Sequence, residues 1–452
     1  MHYFVDCTWT KVAAANSGIQ RVVRNVVNQS AAGGMRDGDI VPVMLVEDRF
    51  HIVDTPLVWR REDAQAGKIS WRRKAILAAK YAYHQSMEAL RGALAALCPH
   101  PRFVRFVYAP RWKWGLSRLM LVPLLPFVRS PHRAELAPQA IFNRGDVLVL
   151  LDASWNLDIW DTVTEARRCG ASVVCVVYDL IPITHPQYFE RKLVKVFNTW
   201  LRASIEHVDH FLCISRTVGE ELSERINALA PQWRSRKRIS YFALGSELDC
   251  MDARDGTRPA CASAVGTDGS PVFLYVSTIE PRKNHAYALD AFEQLWREGV
   301  AAHFVIVGKI GWRCAEFIER VQAHPELGKR LFMFNQVSDS ELAWFYDLAR
   351  GLIFTSLNEG FGLPIVEALQ RGLPVFASDI PVFREIGKDG VEFVSLDDPD
   401  ALAQALARHI GKGAPRLSAP VKWLSWKEAT MQLFERVDNC LADAPDQDVM
   451  VI

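Results

Sequence analysis

Short, uniformly apolar runs alternate with helix-period segments along most of this chain. The runs at 3–6, 40–45, 147–151, 172–178, 210–214, 272–277, 303–307, 331–334, 351–354 and 374–377 read as strands buried on both faces. Between them, 19–29, 215–229, 286–298, 339–348 and 364–371 carry apolar residues at helical spacing. Alternation of this kind predicts parallel sheets covered by helices on both sides. Two such series occur. The stretch 249–270 that separates them is rich in Asp, Gly, Ala, Thr, Ser and Pro and has no apolar period, so it reads as a linker. The expectation is therefore an α/β protein with two doubly wound parallel-sheet domains and a cleft between them. Residues 1–250 form the first domain, 251–270 the linker, 271–437 the second domain and 438–452 a C-terminal tail. Ligands of such sheets bind at the carboxyl ends of the strands.

Composition narrows the class. The chain has 452 residues, enough for two or three domains, and is 50% hydrophobic and 23% charged, which excludes a disordered or fibrous chain. With 53 Lys and Arg against 52 Asp and Glu, the net charge of +1 argues against nucleic acid as a partner. No stretch reaches the ~18 apolar residues that a membrane span needs; the nearest, 119–128, contains Pro123 and Pro126. The N-terminus has neither the basic nor the apolar segment of a signal peptide. Nine cysteines without C-x-x-C spacing predict reduced thiols in a cytoplasmic chain, with neither a zinc site nor a disulfide framework.

The charge is unevenly spread. From Arg60 to Arg133 there are 15 Lys and Arg against three acids, a net +12, which leaves the remainder at −11. This insertion, about 60–135, also carries Trp71, Tyr81, Tyr83, Phe103, Phe106, Tyr108, Trp112 and Trp114. Ile76, Ala79, Tyr83 and Met87 share one helical face. Two readings fit: a peripheral contact with an anionic membrane surface on the inner face of the cytoplasmic membrane, or a solvated insertion whose aromatics pack on its own domain.

The most informative segment is Ser356-Leu-Asn-Glu-Gly-Phe-Gly-Leu-Pro-Ile-Val-Glu-Ala-Leu. A strand ends there in a loop whose Gly360 and Gly362 permit a tight turn and close approach of a ligand. Pro364 suits the first turn of the helix that follows. Loop amides and the helix N-terminus favour an anion such as a diphosphate. Glu359 and Glu367 bracket the loop, and a carboxylate is a natural acceptor for a sugar or ribose diol. At the end of the 272–277 strand, Thr278-Ile-Glu-Pro-Arg-Lys-Asn-His brings Arg282 and Lys283, two cations suited to a leaving diphosphate. Taken singly, the two acids also fit a helix cap and a surface residue, and the two cations fit a solvated turn.

These two segments together resemble the retaining glycosyltransferases of family 4, mannosyltransferases among them, which have the GT-B fold of two Rossmann-like domains. The resemblance covers nearly the whole chain outside 60–135. It implies that Glu359 contacts the donor sugar and stabilises charge at its reacting carbon. It also implies that Glu367 binds the ribose diol, that Arg282 and Lys283 bind the diphosphate, and that Gly360, Phe361, Gly362 and Leu363 line the sugar and phosphates. Residues 334–337, Val337 included, would hold the base. Such enzymes need no metal or cofactor, and this chain has no carboxylate pair one residue apart at a strand end.

The first half should hold the acceptor. Asn16-Ser-Gly-Ile-Gln-Arg-Val-Val-Arg resembles the family's glycine loop near the donor phosphates, with Gly18 permitting the turn and Gln20 and Arg21 as candidates for phosphate or acceptor contact. Arg21 and Arg24 also fit as outward-facing helix residues. Many relatives have a histidine where this chain has Tyr178, so Asp179 is the polar group expected at that strand end, with His185 a weaker candidate. Asp152 is suited to a sugar hydroxyl and Trp155 to stacking on a sugar ring, though a tryptophan there equally fits the core. Ser215 fits a helix N-cap.

The implied reaction moves a hexose, mannose by resemblance, from a nucleotide diphosphate sugar to a hydroxyl of a lipid-linked or glycan acceptor, in surface polysaccharide or lipopolysaccharide synthesis. A non-catalytic nucleotide-sugar-binding protein and a nucleotide-sugar epimerase of the same fold are the alternatives. The epimerase would require an acid and a base beside the sugar ring, for which no motif stands out.

Overall fold

In the computed structural model, the described residues are 1–12, 17–31, 40–57, 138–233, 237–246, 259–335, 337–442 and 449–451. The basic, aromatic insertion at 60–135 lies outside them. Met1–Leu57 and Gln139–Ile452 form one compact unit, built on two sheets.

The first sheet contains β1 (Tyr3–Asp6), β2 (Ile40–Val46), β3 (Arg49–Ile52), β4 (Val147–Leu150), β5 (Ser172–Val177), β6 (His210–Cys213), β7 (Arg238–Tyr241) and, far along the chain, β14 (Val449–Val451). The order is β14-β7-β6-β5-β4-β1-β2-β3. Strands β2, β1, β4, β5, β6 and β7 run parallel, and β3 and β14 close the two edges antiparallel. The second sheet holds β8 (Val272–Val276), β9 (His303–Val307), β10 (Leu331–Phe334), β11 (Gly351–Phe354), β12 (Val375–Ser378) and β13 (Val391–Val394). Its order is β10-β9-β8-β11-β12-β13 and every pairing is parallel. Strands such as Val147–Leu150 and Gly351–Phe354 are buried at every position, as their uniform hydrophobicity requires of strands covered on both faces.

This order has a direct consequence for the site. In the second sheet the chain reverses its direction of winding between β8 and β11, and the loops leaving adjacent strands there diverge to opposite faces and open a crevice. The two motif-bearing loops leave those two strands. In the first sheet the equivalent point lies between β1 and β4.

Two boundaries differ from the expectation. Residues 259–270, read as linker, are packed against the second sheet: Ala262 and Val265 are fully buried, the Gly266 amide donates to His303 Nδ1 (3.0 Å), and His303 faces Asp268. Small residues there serve close packing, which composition cannot distinguish from flexibility. The return to the first domain also begins before residue 437. The helix Trp426–Leu441, opened by a Ser425–Glu428 capping box, is seated on the first domain. The Ala243 amide donates to Gln432 (2.9 Å), Trp423 Nε1 donates to the Leu244 carbonyl (2.8 Å), and the Tyr3 hydroxyl meets Asp438. A Cβ on Gly245 would lie 2.6 Å from the backbone of Trp426, so only glycine allows this approach. Among the described residues no helix is long and apolar enough to cross a membrane, and Cys7, Cys169, Cys175, Cys213, Cys314 and Cys440 are free thiols, all buried except Cys169.

Candidate active site

The turn after β8 is held from within. Tyr275 is fully buried, and its hydroxyl donates to the main-chain carbonyl of Lys283. Asn284 takes a left-handed conformation (φ 57°) that swings the chain into the helix His285–Arg297. The turn is tied to the neighbouring loop by the Leu357 amide, which donates to the Arg282 carbonyl (2.9 Å).

Arg282 and Lys283 converge on Glu359. Arg282 Nη1 lies 2.8 Å from Glu359 Oε2 and donates to the Asn358 carbonyl (2.7 Å), while its Nη2 pairs with Glu280 (2.6 Å). Lys283 Nζ pairs with the other oxygen of Glu359 and stands 5.3 Å from the centre of the Phe354 ring. Burial works to raise the Glu359 pKa, but Arg282 and Lys283 outweigh it and hold the carboxyl at about 2. Burial and Arg282 draw the Lys283 pKa down. Two acids (Glu280, Glu359) thus balance two bases in a largely buried cluster at the carboxyl ends of β8 and β11. His285, under the turn, is pushed down to about 3 by burial and by Lys283, and its Nε2 faces Ser277 Oγ at 3.1 Å.

The 359–363 loop is shaped by its glycines. A Cβ on Gly360 would lie 2.0 Å from the Tyr178 carbonyl, because the loop meets the end of β5 in the first domain. Gly362 has φ 123°, which L side chains rarely adopt, and it opens the helix Leu363–Gln370. Phe361 is buried, with its ring against Trp423, and Leu363 is half-buried. Ser215 caps the helix Arg216–Leu229 by accepting from the Val218 amide (3.2 Å), and its hydroxyl donates to the Gly360 carbonyl (2.8 Å). Beside it, Glu385 accepts from the Arg216 amide (2.7 Å) and from the Thr217 amide (2.9 Å) and hydroxyl (2.8 Å). A second-domain carboxylate therefore caps a first-domain helix, where its charge also favours the helix N-terminus.

Several of the residues singled out from the sequence meet here. Half-buried Asp179 follows β5 and accepts from the Ile181 amide (3.1 Å). Burial raises its pKa and Arg282 partly offsets that, which places the two in one electrostatic cluster. His185 Nδ1 lies 3.2 Å from the Asn358 side chain. Glu367, one turn into its helix and buried, receives Arg21 Nη1 on Oε1 (2.5 Å) and the Tyr346 hydroxyl on Oε2 (2.7 Å). Arg21 is thus a cross-domain partner of Glu367 rather than an outward helix residue. Arg24 is also buried, at 6% exposure. Val337 is half-buried beyond β10.

Other residues sit differently. Gly18 is the first residue of the helix Gly18–Ala31, and a Cβ there would meet nothing within 4 Å, so the local backbone does not require glycine. Gln20 is buried; its Oε1 accepts from the Ser17 amide (2.8 Å), which makes it part of the helix cap, and its Nε2 has no hydrogen-bond partner among the described residues. Asp152 spends its oxygens on the Thr10 amide (2.6 Å) and the Ala153 amide (2.7 Å), joining the loops after β1 and β4. The Trp155 ring is half-buried against Phe197 (5.4 Å) and Trp200 (5.9 Å). Both sets of contacts are scaffold contacts. Among the described residues no three His, Cys, Asp or Glu side chains form a group that could hold a metal.

Tyr346, Glu280, Glu385 and the Ser215–Gly360 link were not apparent from sequence. Tyr346 follows Phe345 in an apolar helix face and reads as core, and the other contacts depend on packing between distant segments.

Residues 263–416 match the model of the family described as Glycosyl transferases group 1. The chain is 36% identical over 307 residues to the serotype-specific mannosyltransferase WbdA of Escherichia coli, a match covering 66% of this chain and 37% of the relative. It is 26% identical over 231 residues to the O-antigen chain mannosyltransferase RfbU of Salmonella typhimurium, covering 51% of this chain and 58% of that one. The chain thus spans less than two thirds of the length of these relatives. The structure of sucrose-phosphate synthase from Thermosynechococcus elongatus aligns over 98% of this chain and 100% of its own, with a TM-score of 0.55 at 16% identity. The two parallel-sheet domains are the GT-B fold.

Proposed function

We propose that the chain is a retaining glycosyltransferase that moves a hexosyl group, mannose in the first instance, from a nucleotide diphosphate sugar to a hydroxyl of a lipid-linked or glycan acceptor. The product belongs to surface polysaccharide or lipopolysaccharide synthesis. One observation carries the reading: Glu359 is held ionised between Arg282 and Lys283 at the point where the second sheet reverses its winding. The mannosyltransferase relatives support the choice of sugar and of acceptor class.

In this reading the donor diphosphate lies over the start of the helix Leu363–Gln370, where main-chain N–H groups and the helix dipole favour an anion. Arg282 and Lys283 exchange part of their pairing with Glu359 for phosphate oxygens. Glu359 then faces the sugar, where its negative charge stabilises the positive charge that develops at the anomeric carbon as the bond to phosphate breaks. Glu367 takes the ribose hydroxyls. The acceptor approaches from the first domain, past Asp179 and His185, on the face the nucleotide leaves. A donor phosphate oxygen receives the acceptor proton, so configuration is retained without a covalent enzyme intermediate. Protein groups rather than a metal carry the diphosphate charge. The contribution of the protein is positioning and electrostatic stabilisation.

The test is to incubate the purified chain with a panel of nucleotide diphosphate hexoses and lipid-linked oligosaccharide extract, with and without EDTA. The readout is nucleoside diphosphate release together with the anomeric configuration of the product by NMR. Metal-independent transfer with retention is expected. Inversion, or no turnover of any donor, would reject the reading.

A further inference from the structure

Glu367 is nearly inaccessible, and its carboxylate has two protein partners on different oxygens. Arg21 reaches Oε1 from the first domain. Tyr346 reaches Oε2 from within the second, and the two bonds differ in kind. The Tyr346 ring is fully buried on the helix Asp339–Leu348, with the Arg371 guanidinium 5.8 Å from its centre, so its hydroxyl has a fixed position. Burial and the adjacent Glu367 raise the Tyr346 pKa well above the usual phenol value, so the hydroxyl remains a donor at every physiological pH.

An ionised carboxylate offers about four lone-pair positions. Tyr346 occupies one and Arg21 another, which leaves two. Two neighbouring acceptor positions on a carboxylate whose rotation is fixed match the two O–H donors of a cis diol. They match a ribose that lacks its 2′-hydroxyl less well, since one position would then stay unpaired in a buried site. Without the Tyr346 bond, Glu367 could turn about its last torsion and the remaining positions would lose their fixed direction.

We propose that Tyr346 is a positioning residue that makes Glu367 selective for ribonucleotides: it pins Oε2, so that the remaining lone pairs of the carboxylate meet both hydroxyls of a nucleotide ribose. The proposal rests on the reading above in which Glu367 binds the donor ribose. It adds the residue that sets the specificity and the chemical feature discriminated, the 2′-hydroxyl.

The experiment measures, by calorimetric titration, the affinity of the purified full chain for ribonucleoside diphosphates and for their 2′-deoxy counterparts. It compares wild type with Tyr346→Phe, which keeps the ring and removes only the hydroxyl, and with Glu367→Ala. Wild type is expected to prefer the ribonucleotide by about tenfold or more, in line with sites built to hydrogen-bond a ligand hydroxyl. In Tyr346→Phe the ribonucleotide affinity falls toward the deoxy value while the deoxy affinity stays within about twofold of wild type, and Glu367→Ala abolishes the preference. In transfer assays the same variant raises the donor KM with kcat little changed. An unchanged preference in Tyr346→Phe would overturn the proposal. So would an equal loss of both nucleotides, which would mark Tyr346 as purely structural. A wild type that binds both forms equally would remove ribose reading from Glu367. A wild type that binds no nucleoside diphosphate would fell the donor-site reading itself, and this proposal with it.

Discussion

Arg21 and Glu367 stand 346 positions apart in the chain and meet at 2.5 Å across the two domains. The side chain of Glu367 is 2% exposed and that of Arg21 15%, so this pair is shielded from solvent. The glycine-loop helix of one sheet is thereby joined to the ligand-facing helix of the other. Breaking such a pair by removing one partner leaves a charge without its counterpart, which costs about 3–5 kcal/mol at fully buried sites. Arg21→Ala is expected to lower the melting temperature clearly, and the double variant with Glu367→Gln should lose less than the sum of the two single effects. Additive losses would show that the two residues are not coupled.

Glu359→Gln keeps the shape of the side chain and removes its charge. Transfer should fall by about two to three orders of magnitude, the usual loss on deleting one electrostatic contact to a transition state. The acid limb of stability should change as well. The Glu359 carboxyl is held at about 2 in the fold, below its ordinary value of 4.5, so its contribution is present above pH 4.5 and disappears as pH falls toward 2. Melting temperatures of wild type and variant, read from pH 5 to pH 2, should therefore converge. Parallel curves over that window would refute the ion-pair assignment.

Asp6 predicts the opposite slope. It is fully buried at the end of β1, and burial, with Asp152 nearby, raises its pKa from 3.8 to about 7. A carboxyl with a raised folded-state pKa favours the fold while protonated, and that contribution is lost as pH rises through about 7. Asp6→Asn retains an acceptor for the Thr8 amide and removes the ionisation. Relative to wild type it should gain stability between pH 5 and pH 8. A difference that does not vary with pH would show that Asp6 does not titrate in this range.

Glu385 caps the helix Arg216–Leu229 from the other domain through three hydrogen bonds. Glu385→Ala should cost about 1 kcal/mol, the ordinary value of a lost N-cap, and should increase amide exchange at Arg216 and Thr217. Unchanged exchange at those two amides would mean that the contact does not persist in solution.

The charge pattern of 60–135 gives a test from sequence alone. If the segment meets an anionic surface, replacing Arg72, Arg73 and Lys74 with Gln should reduce co-sedimentation with phosphatidylglycerol vesicles, with the larger effect at low salt. Equal co-sedimentation of the variant and wild type favours the packed-insertion reading.

The parts of this molecule that sequence revealed are those whose cause is local. Uniformly apolar runs become parallel strands because both faces are buried, and Gly362 and Pro364 mark a strand-to-helix turn whatever surrounds them. Glu359 and Glu367 could be read together because eight positions across one loop and one helical turn fix their separation. What sequence did not reveal depends on chain segments that packing brings together. Ser215 reaches Gly360 across 145 positions, and Glu385 reaches Thr217 across 168. Four strands were also missed, β3, β7, β13 and β14: β3 and β13 mix exposed, half-buried and buried positions, β7 is half-buried at both ends, and β14 pairs antiparallel with β7, so none shows the uniform pattern of the central strands. Asp152 and Trp155 have side chains that suit sugar binding, yet main-chain N–H groups and neighbouring aromatic rings hold them. Residue type alone does not distinguish those uses.

The proposed donor site lies between the loops leaving β8 and β11, where a nucleotide is expected to bind. The most direct measurement is a thermal-shift titration of the full chain with a panel of nucleoside diphosphates, run in parallel on Lys283→Ala and Glu367→Ala. At ligand well above Kd, binding stabilises the fold by about 2–4 kcal/mol, which is visible as a raised melting temperature. Such a shift is expected for at least one nucleotide with wild type, with its loss in Lys283→Ala and a smaller shift in Glu367→Ala. No shift with any nucleotide, or an equal shift in all three proteins, would contradict that site.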